Sequence, residues 1–317
     1  MSDLIKVINY DYPEIIPVTV GILPKVWMKY RDEMKHIAEE YSDLITDHRT
    51  EETYDFIPVP SYHAGDWVDP WGCVWSNLVD GMEAIVTKHP YPNREDVKNI
   101  KKPTPQAGFP HGFMYLRLED LRGFEEMMID FAEEPKELQQ LIDIVLEYNL
   151  DCADELLKLC CDWEIISFGD DLGTQKALPI SPIKWRKYLK PCFTKIYKKF
   201  KDTGKYIFMH TDGCIWEIMP DLVEAGVNII NCQYRANGLE NLERVCKGKI
   251  PIHLDLDRQL FPFATPKEID EHIYTAIKTL GMKEGGLSIS IEISADYPLE
   301  NIRAILESTR KHRTMFN

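Results

Sequence analysis

In KYIFMHTDGCIWEIMP (205–220) an imidazole, a carboxylate and a thiol, His210, Asp212 and Cys214, fall within five residues where an apolar run ends. A histidine with one or two carboxylates and an open position makes a catalytic zinc site. The residue two after the histidine can return to the same ion. Further along, Glu292 interrupts SISIEIS, which otherwise reads as core, and a buried carboxylate without a partner is costly. A metal ion or a cationic partner would relieve that cost. The same residues admit a second reading. Asp212 or Gly213 would cap a helix starting near Cys214, His210 would be a hydrogen-bonded core histidine, and Glu292 would pair with an arginine.

The neighbours Asp170 and Asp171 in FGDDLGTQ have two readings as well. Adjacent carboxylates at a strand end bind a cation or do acid–base work, or they are turn residues before Gly173. Trp67, Trp71 and Trp75 are evenly spaced, which suits either an aromatic wall for a flat substrate or the core of a hairpin. Cys232 is a soft ligand or a buried thiol.

Positioning such groups needs regular elements, and the second half of the chain supplies five strand–helix units. The strands are expected at 163–171, 205–210, 227–233, 250–257 and 286–293, each followed by a helical stretch. Ser181-Pro182 gives one helix its cap and first turn, and Gly204 ends it. The first half is less regular. PVTVGI (17–22) and GFMYLRL (112–118) read as strands, helices are expected at 119–132 and 135–160, and YHAGDWVDPWGCVWSNLVDG reads as hairpin or loop. The pattern predicts an α/β fold, a (β/α)8 TIM barrel with an N-terminal hairpin or loop insertion, as a single domain over 1–317. A doubly wound sheet would carry a Gly-rich phosphate loop, and no such sequence occurs. In a barrel the strand exits converge, which adds Gln175, Gln233 and Asp257 as candidate substrate contacts beside Trp67 and Trp71.

A net charge of −15 excludes a phosphate-backbone reader and fits an acidic membrane surface poorly. The eight cysteines contain no C-x-x-C pair, the usage of a reducing compartment. No apolar run approaches a membrane span, and MSDLIKVINYDYPE lacks an apolar signal region, so the expectation is a cytoplasmic protein.

HTDG, LVEAGVNIINCQ, HLDLDRQLFPFATPKEID and GGLSISIEISADYPLENIRAI occur here in an order that resembles the uroporphyrinogen decarboxylase superfamily from about residue 160 onward. ILPKVWMKYRDEM and DPWGCVW resemble it more weakly upstream. The resemblance implies a (β/α)8 barrel. True decarboxylases of that family carry an Arg-rich segment near the N-terminus, and nothing like it stands here. The cobamide-dependent methyltransferase branch holds zinc through His-x-Cys and a later Cys. Carried onto this chain, those positions are His210, Asp212 and, with one residue of offset allowed before Pro298, Glu292, so the chain departs from the pattern at both sulfur positions. That harder donor set suits an oxygen substrate.

The resemblance therefore implies a zinc-dependent methyltransferase taking a methyl group from a small methoxylated donor, an aryl methyl ether first, or from an N-methylated one. The acceptor would be a corrinoid on a separate partner protein, since no D-x-H-x-x-G cobalamin sequence occurs. Barrels of this kind also imply a homodimer. His210, Asp170 and Asp171 are the catalytic candidates, and His210, Asp212 and Glu292 the metal candidates. The rival readings are a metal-free decarboxylase-type lyase working through Asp170 and Asp171, and a non-catalytic ligand-binding relative.

Overall fold

Alternation in LSISIEI decides how the C-terminal strand sits. In the computed structural model, which describes residues 2–316, Leu287, Ile289, Ile291 and Ile293 are buried while Ser290 and Glu292 stay partly accessible on the opposite face. A period of two produces that division.

In chain order the strands are β1 (Val18–Ile22), β2 (Gly65–Val68), β3 (Val74–Asn77), β4 (Ile85–Lys88), β5 (Ile165–Gly169), β6 (Tyr206–Thr211), β7 (Ile229–Gln233), β8 (Ile252–Asp255) and β9 (Leu287–Ile293). Parallel strands alternating with helices, and an added three-stranded sheet of order β2-β3-β4, make an α/β barrel of the (β/α)8 class with a hairpin insertion. Two compact units are distinguished. One comprises Met1–Gly65, Asn77–Ala84 and Asn231–Asn317, the other Asp66–Ser76 and Ile85–Ile230.

In the first unit β9 lies between β1 and β8, parallel to both, with Gly21 opposite Glu292 and Asp255 opposite Ser290. The helix Pro266–Leu280 starts at Thr265, whose side chain and Glu268 form a reciprocal capping box. It meets the helix Leu299–His312, where Asp270 accepts from Ser308 and His312. Trp27, wholly buried, stacks on Tyr54 and donates to Asp47 at 3.0 Å.

The second unit pairs β5 with β6 in parallel, from Ile165 opposite Tyr206 to Gly169 opposite His210. Behind them Phe109, Phe113, Phe168, Phe193, Tyr197 and Phe200 make an aromatic core of edge-on and tilted contacts. Each pair of this kind adds about 0.5–1.5 kcal/mol to the burial of its area. The hairpin sheet has β3 antiparallel to β4. Asp69, beside it and buried, accepts from the backbone of Trp71 and Cys73, the Trp75 indole and, at 2.6 Å, the Arg117 guanidinium. Removing one partner of a buried pair leaves the other charge poorly compensated. Here Asp120, 3.6 Å away, is a poorer second partner for Arg117. Asp69→Ala is therefore expected to destabilise the protein by about 3 kcal/mol or more in denaturant titration. A change under about 1 kcal/mol would contradict the role of Asp69 as the hub of the hairpin.

Three expectations fail. GFMYLRL is not a strand: Gly112 to Met114 bend, and a helix spans Tyr115–Arg122. The expected helix from Cys214 begins only at Met219, so neither Asp212 nor Gly213 caps it. The helix expected over 181–204 is two, Pro182–Tyr188 and Lys190–Lys201, parted ahead of Pro191, although Ser181 caps the first as expected.

Candidate metal centre

Two loops at the exits of β5 and β6 meet backbone to backbone. The Gly173 N–H donates to the Asp212 carbonyl at 3.2 Å, and the Cys214 N–H to the Thr174 carbonyl at 2.7 Å. Only glycine allows this approach. A Cβ on Gly173 would lie 2.6 Å from the Cys214 nitrogen, and one on Gly213, whose φ is +88°, would overlap the Gly173 carbonyl. Side chains complete the joint. Thr211 Oγ1 accepts from the Leu172 N–H at 3.0 Å, and Asp171 Oδ1 from the Asp212 N–H at 2.9 Å. The sequence between each strand and its helix is thus spent on fixing Asp171 against the His210 loop.

A third segment arrives from 111–116. The Gly112 N–H donates to the Gly169 carbonyl at 2.8 Å, which lays the His111 ring over Gly169. A Cβ there would be 2.6 Å from His111 Nδ1. His111 Nε2 then lies 3.2 Å from Asp171 Oδ2, and His210 Nε2 lies 3.8 Å from Asp171 Oδ1 and 3.6 Å from Asp212 Oδ1. The His111 and His210 ring centroids are 5.5 Å apart. Donor atoms of His111, Asp171 and His210 all lie within 4.8 Å of one another, and all three side chains reach solvent. Two imidazoles and a carboxylate converging in this way fit a divalent cation of zinc type, with no thiolate among them.

Charge in the cluster is arranged accordingly. Burial alone would lower the pKa of His111, but the hydrogen bond and charge of Asp171, helped by Asp170 and Asp212, raise it to about 9. Burial works against ionised Asp171, yet His111, the Asp212 N–H and His210 hold its pKa below the usual carboxylate value. Asp170 is fully buried, which pushes its pKa up to about 7. The carboxylate accepts the N–H groups of Met114, Tyr115 and Leu116 at 3.2, 2.5 and 2.9 Å. All three partners are donors, and they offset part of the rise that burial causes.

A raised histidine pKa has a definite sign. In the metal-free protein the His111–Asp171 pair contributes stability up to about pH 6.5 wherever Asp171 is ionised. That contribution is lost as pH rises through about 9, and also in acid as Asp171 takes up its proton. Zinc requires the neutral imidazole, so binding must expel this proton. Zinc affinity is therefore expected to climb between about pH 7 and 9, with about one proton released at pH 7, as measured by calorimetry in buffers of different ionisation enthalpy. A flat affinity with no proton release would contradict this assignment of His111.

Glu292 pairs with Arg258 at 2.7 Å, and Asp257 with Arg235 at 2.7 Å, both in the first unit. Gln233 ends β7, and its carbonyl accepts from Asn237. Trp71 is buried edge-on against Tyr148, whereas Trp67, 36% exposed, stacks on Trp75 with centroids 5.4 Å apart. Gln175 is exposed on the loop that carries Asp171. Cys232 is buried, and burial holds its thiol well above the ordinary value. His111 was missed by sequence reasoning. Its only local signal is a histidine between proline and glycine in GFPHGF.

A profile of the uroporphyrinogen decarboxylase (URO-D) family matches residues 113–312. The chain belongs to the uroporphyrinogen decarboxylase family. His111 lies just outside the matched stretch, so family membership does not assign it. No curated protein sequence matches. Among solved structures, a methyltransferase from Methanosarcina mazei is similar at TM-score 0.65 and 16% identity, covering 98% of this chain and 97% of that one, which shows the shared fold. A sugar phosphate isomerase/epimerase from Parabacteroides distasonis is similar at TM-score 0.38 and 12% identity, covering 94% of each chain. A dihydropteroate synthase from Xanthomonas albilineans is similar at TM-score 0.32 and 16% identity, over 50% of this chain and 58% of that one. No helix among the described residues is long and apolar enough to cross a membrane.

Proposed function

We propose that this member of the family is a cytoplasmic zinc-dependent methyltransferase that moves a methyl group from a small methoxylated donor, an aryl methyl ether first, to the cob(I)amide of a separate corrinoid protein. The observation that carries the reading is the thiol-free convergence of His111, Asp171 and His210. These residues would hold the metal, with Asp212 beside His210. The likeness to the Methanosarcina mazei methyltransferase supports methyl transfer as the reaction class. Nitrogen and oxygen donors make a harder centre than thiolates, matched to an ether oxygen. Zinc, when bound, supplies Lewis acidity that makes the aryloxide a better leaving group.

The protein's own groups then have separable tasks. Asp171 holds the His111 ring in place before the metal arrives and would share the ion with it afterwards. The accessible Trp67–Trp75 stack suits an aromatic ring, and exposed Gln175 suits a polar substituent. The corrinoid enters as a co-substrate, and the methyl carbon exchanges its bond to oxygen for one to cobalt. The departing aryloxide takes up a proton. Glu292 is not needed as a ligand here, because Arg258 already answers the cost of placing its carboxylate there.

The test mixes zinc-loaded protein with 2-methoxyphenol and free cob(I)alamin, following methylcobalamin by absorbance and catechol by chromatography. Equal, zinc-dependent amounts of both products support the reading. Carbon dioxide release from methoxybenzoates, without methyl transfer and without need of zinc, would overturn it in favour of acid–base chemistry at Asp170 and Asp171.

A further inference from the structure

We infer that Asp170 is a positioning residue that sets His111 as a metal ligand without touching the metal, an inference that rests on the metal reading above. The helix Tyr115–Arg122 has no cap from its own N-terminal residue, Met114. Its first N–H groups have no partner within the helix, as at any helix start. Here the cap comes from 55 positions away: Asp170 Oδ2 accepts from Met114 and Tyr115, and Oδ1 from Leu116. A buried carboxylate at a helix N-terminus also meets the positive end of the helix dipole.

The rest of the triplet 169–171 grips the same segment. Gly169 accepts from the Gly112 N–H and leaves room for the His111 ring, and Asp171 meets His111 Nε2. Asp170's own N–H donates to the His210 carbonyl at 3.1 Å. One residue thereby joins the segment carrying His111 to the strand carrying His210. Its side chain holds only the first of these, so losing the carboxylate must act through His111 and leave the His210 bond in place. Full burial keeps Asp170 itself away from substrate.

The experiment measures zinc affinity by chelator competition, and the visible spectrum of the cobalt(II) form, for wild type, Asp170→Asn, His111→Ala and the double variant. Supporting groups around a metal ligand are worth about ten- to a hundredfold in affinity. Asp170→Asn is expected to lose about that much, to change the cobalt spectrum, and to cause no further loss when His111 is already alanine. Unchanged affinity in Asp170→Asn, or an additive loss in the double variant, would overturn the inference. Asp170→Ser, which keeps one oxygen acceptor, serves if Asp170→Asn does not fold. Failure of both to fold makes Asp170 a folding residue and overturns the positioning role. Wild type that binds no zinc or cobalt would instead sink the metal reading, and this inference with it.

Discussion

His111→Ala is expected to leave a folded protein that retains almost no zinc and has lost methyl transfer. The side chain is half-exposed, so little packing goes with it. What disappears is one of the three converging donors and the partner of Asp171. Lewis-acid assistance is worth several kcal/mol, so the rate should fall by about a thousandfold or more. Zinc content after gel filtration, the rate of methylcobalamin formation and the melting temperature separate the outcomes. Full zinc and full activity in His111→Ala would return the ligand set to His210, Asp212 and Glu292, the positions implied by resemblance.

Gly213→Ala should damage the same centre through the backbone. With φ at +88°, alanine there is strained, about 1–2 kcal/mol. Its Cβ would also overlap the Gly173 carbonyl, which cannot retreat cheaply. Gly173 N–H is bonded to Asp212, and Thr174 accepts from Cys214. The loops must part, carrying Asp171 away from His210. We expect a total destabilisation of about 3 kcal/mol or more together with weakened zinc binding. Gly204→Ala is the control. Its φ is +79°, but a Cβ there meets nothing within 4 Å, so only the backbone strain applies. Equal denaturation midpoints for the two variants would refute the close approach of the loops.

The two loops were legible in the sequence because strand exits in an α/β barrel are predictable from period and punctuation. HTDG and GDDLG declare themselves as strand ends, and the glycines in both prove to be contact points. The third arm was not legible. Phe113 to Leu118 form a short, mostly apolar and aromatic run that reads like a strand. The helix that forms there buries Arg117 and Arg122, so its polar positions do not mark a solvent face. Arg117 is held by Asp69 and Arg122 by Asp130, both distant from the helix start. Its cap, Asp170, lies 55 positions downstream, where no local pattern could show it.

Glu292 shows the opposite case. The run SISIEIS reads as core, which would make its carboxylate need a partner. The Glu292 side chain is partly accessible, however, and either a metal or an arginine could face it. Arg258, 34 positions earlier, supplies the arginine. Pairing of that kind is a tertiary fact, and residue spacing does not choose between a guanidinium and an ion.

X-ray absorption at the zinc edge of the zinc-loaded protein tests the central claim most directly. The predicted spectrum has nitrogen and oxygen neighbours at about 2.0–2.1 Å, multiple scattering from two imidazoles, and no sulfur. In His111→Ala the imidazole signal should drop to one ring in whatever zinc remains. A sulfur neighbour at about 2.3 Å, or a single imidazole in the wild-type protein, would contradict the centre built from His111, Asp171 and His210.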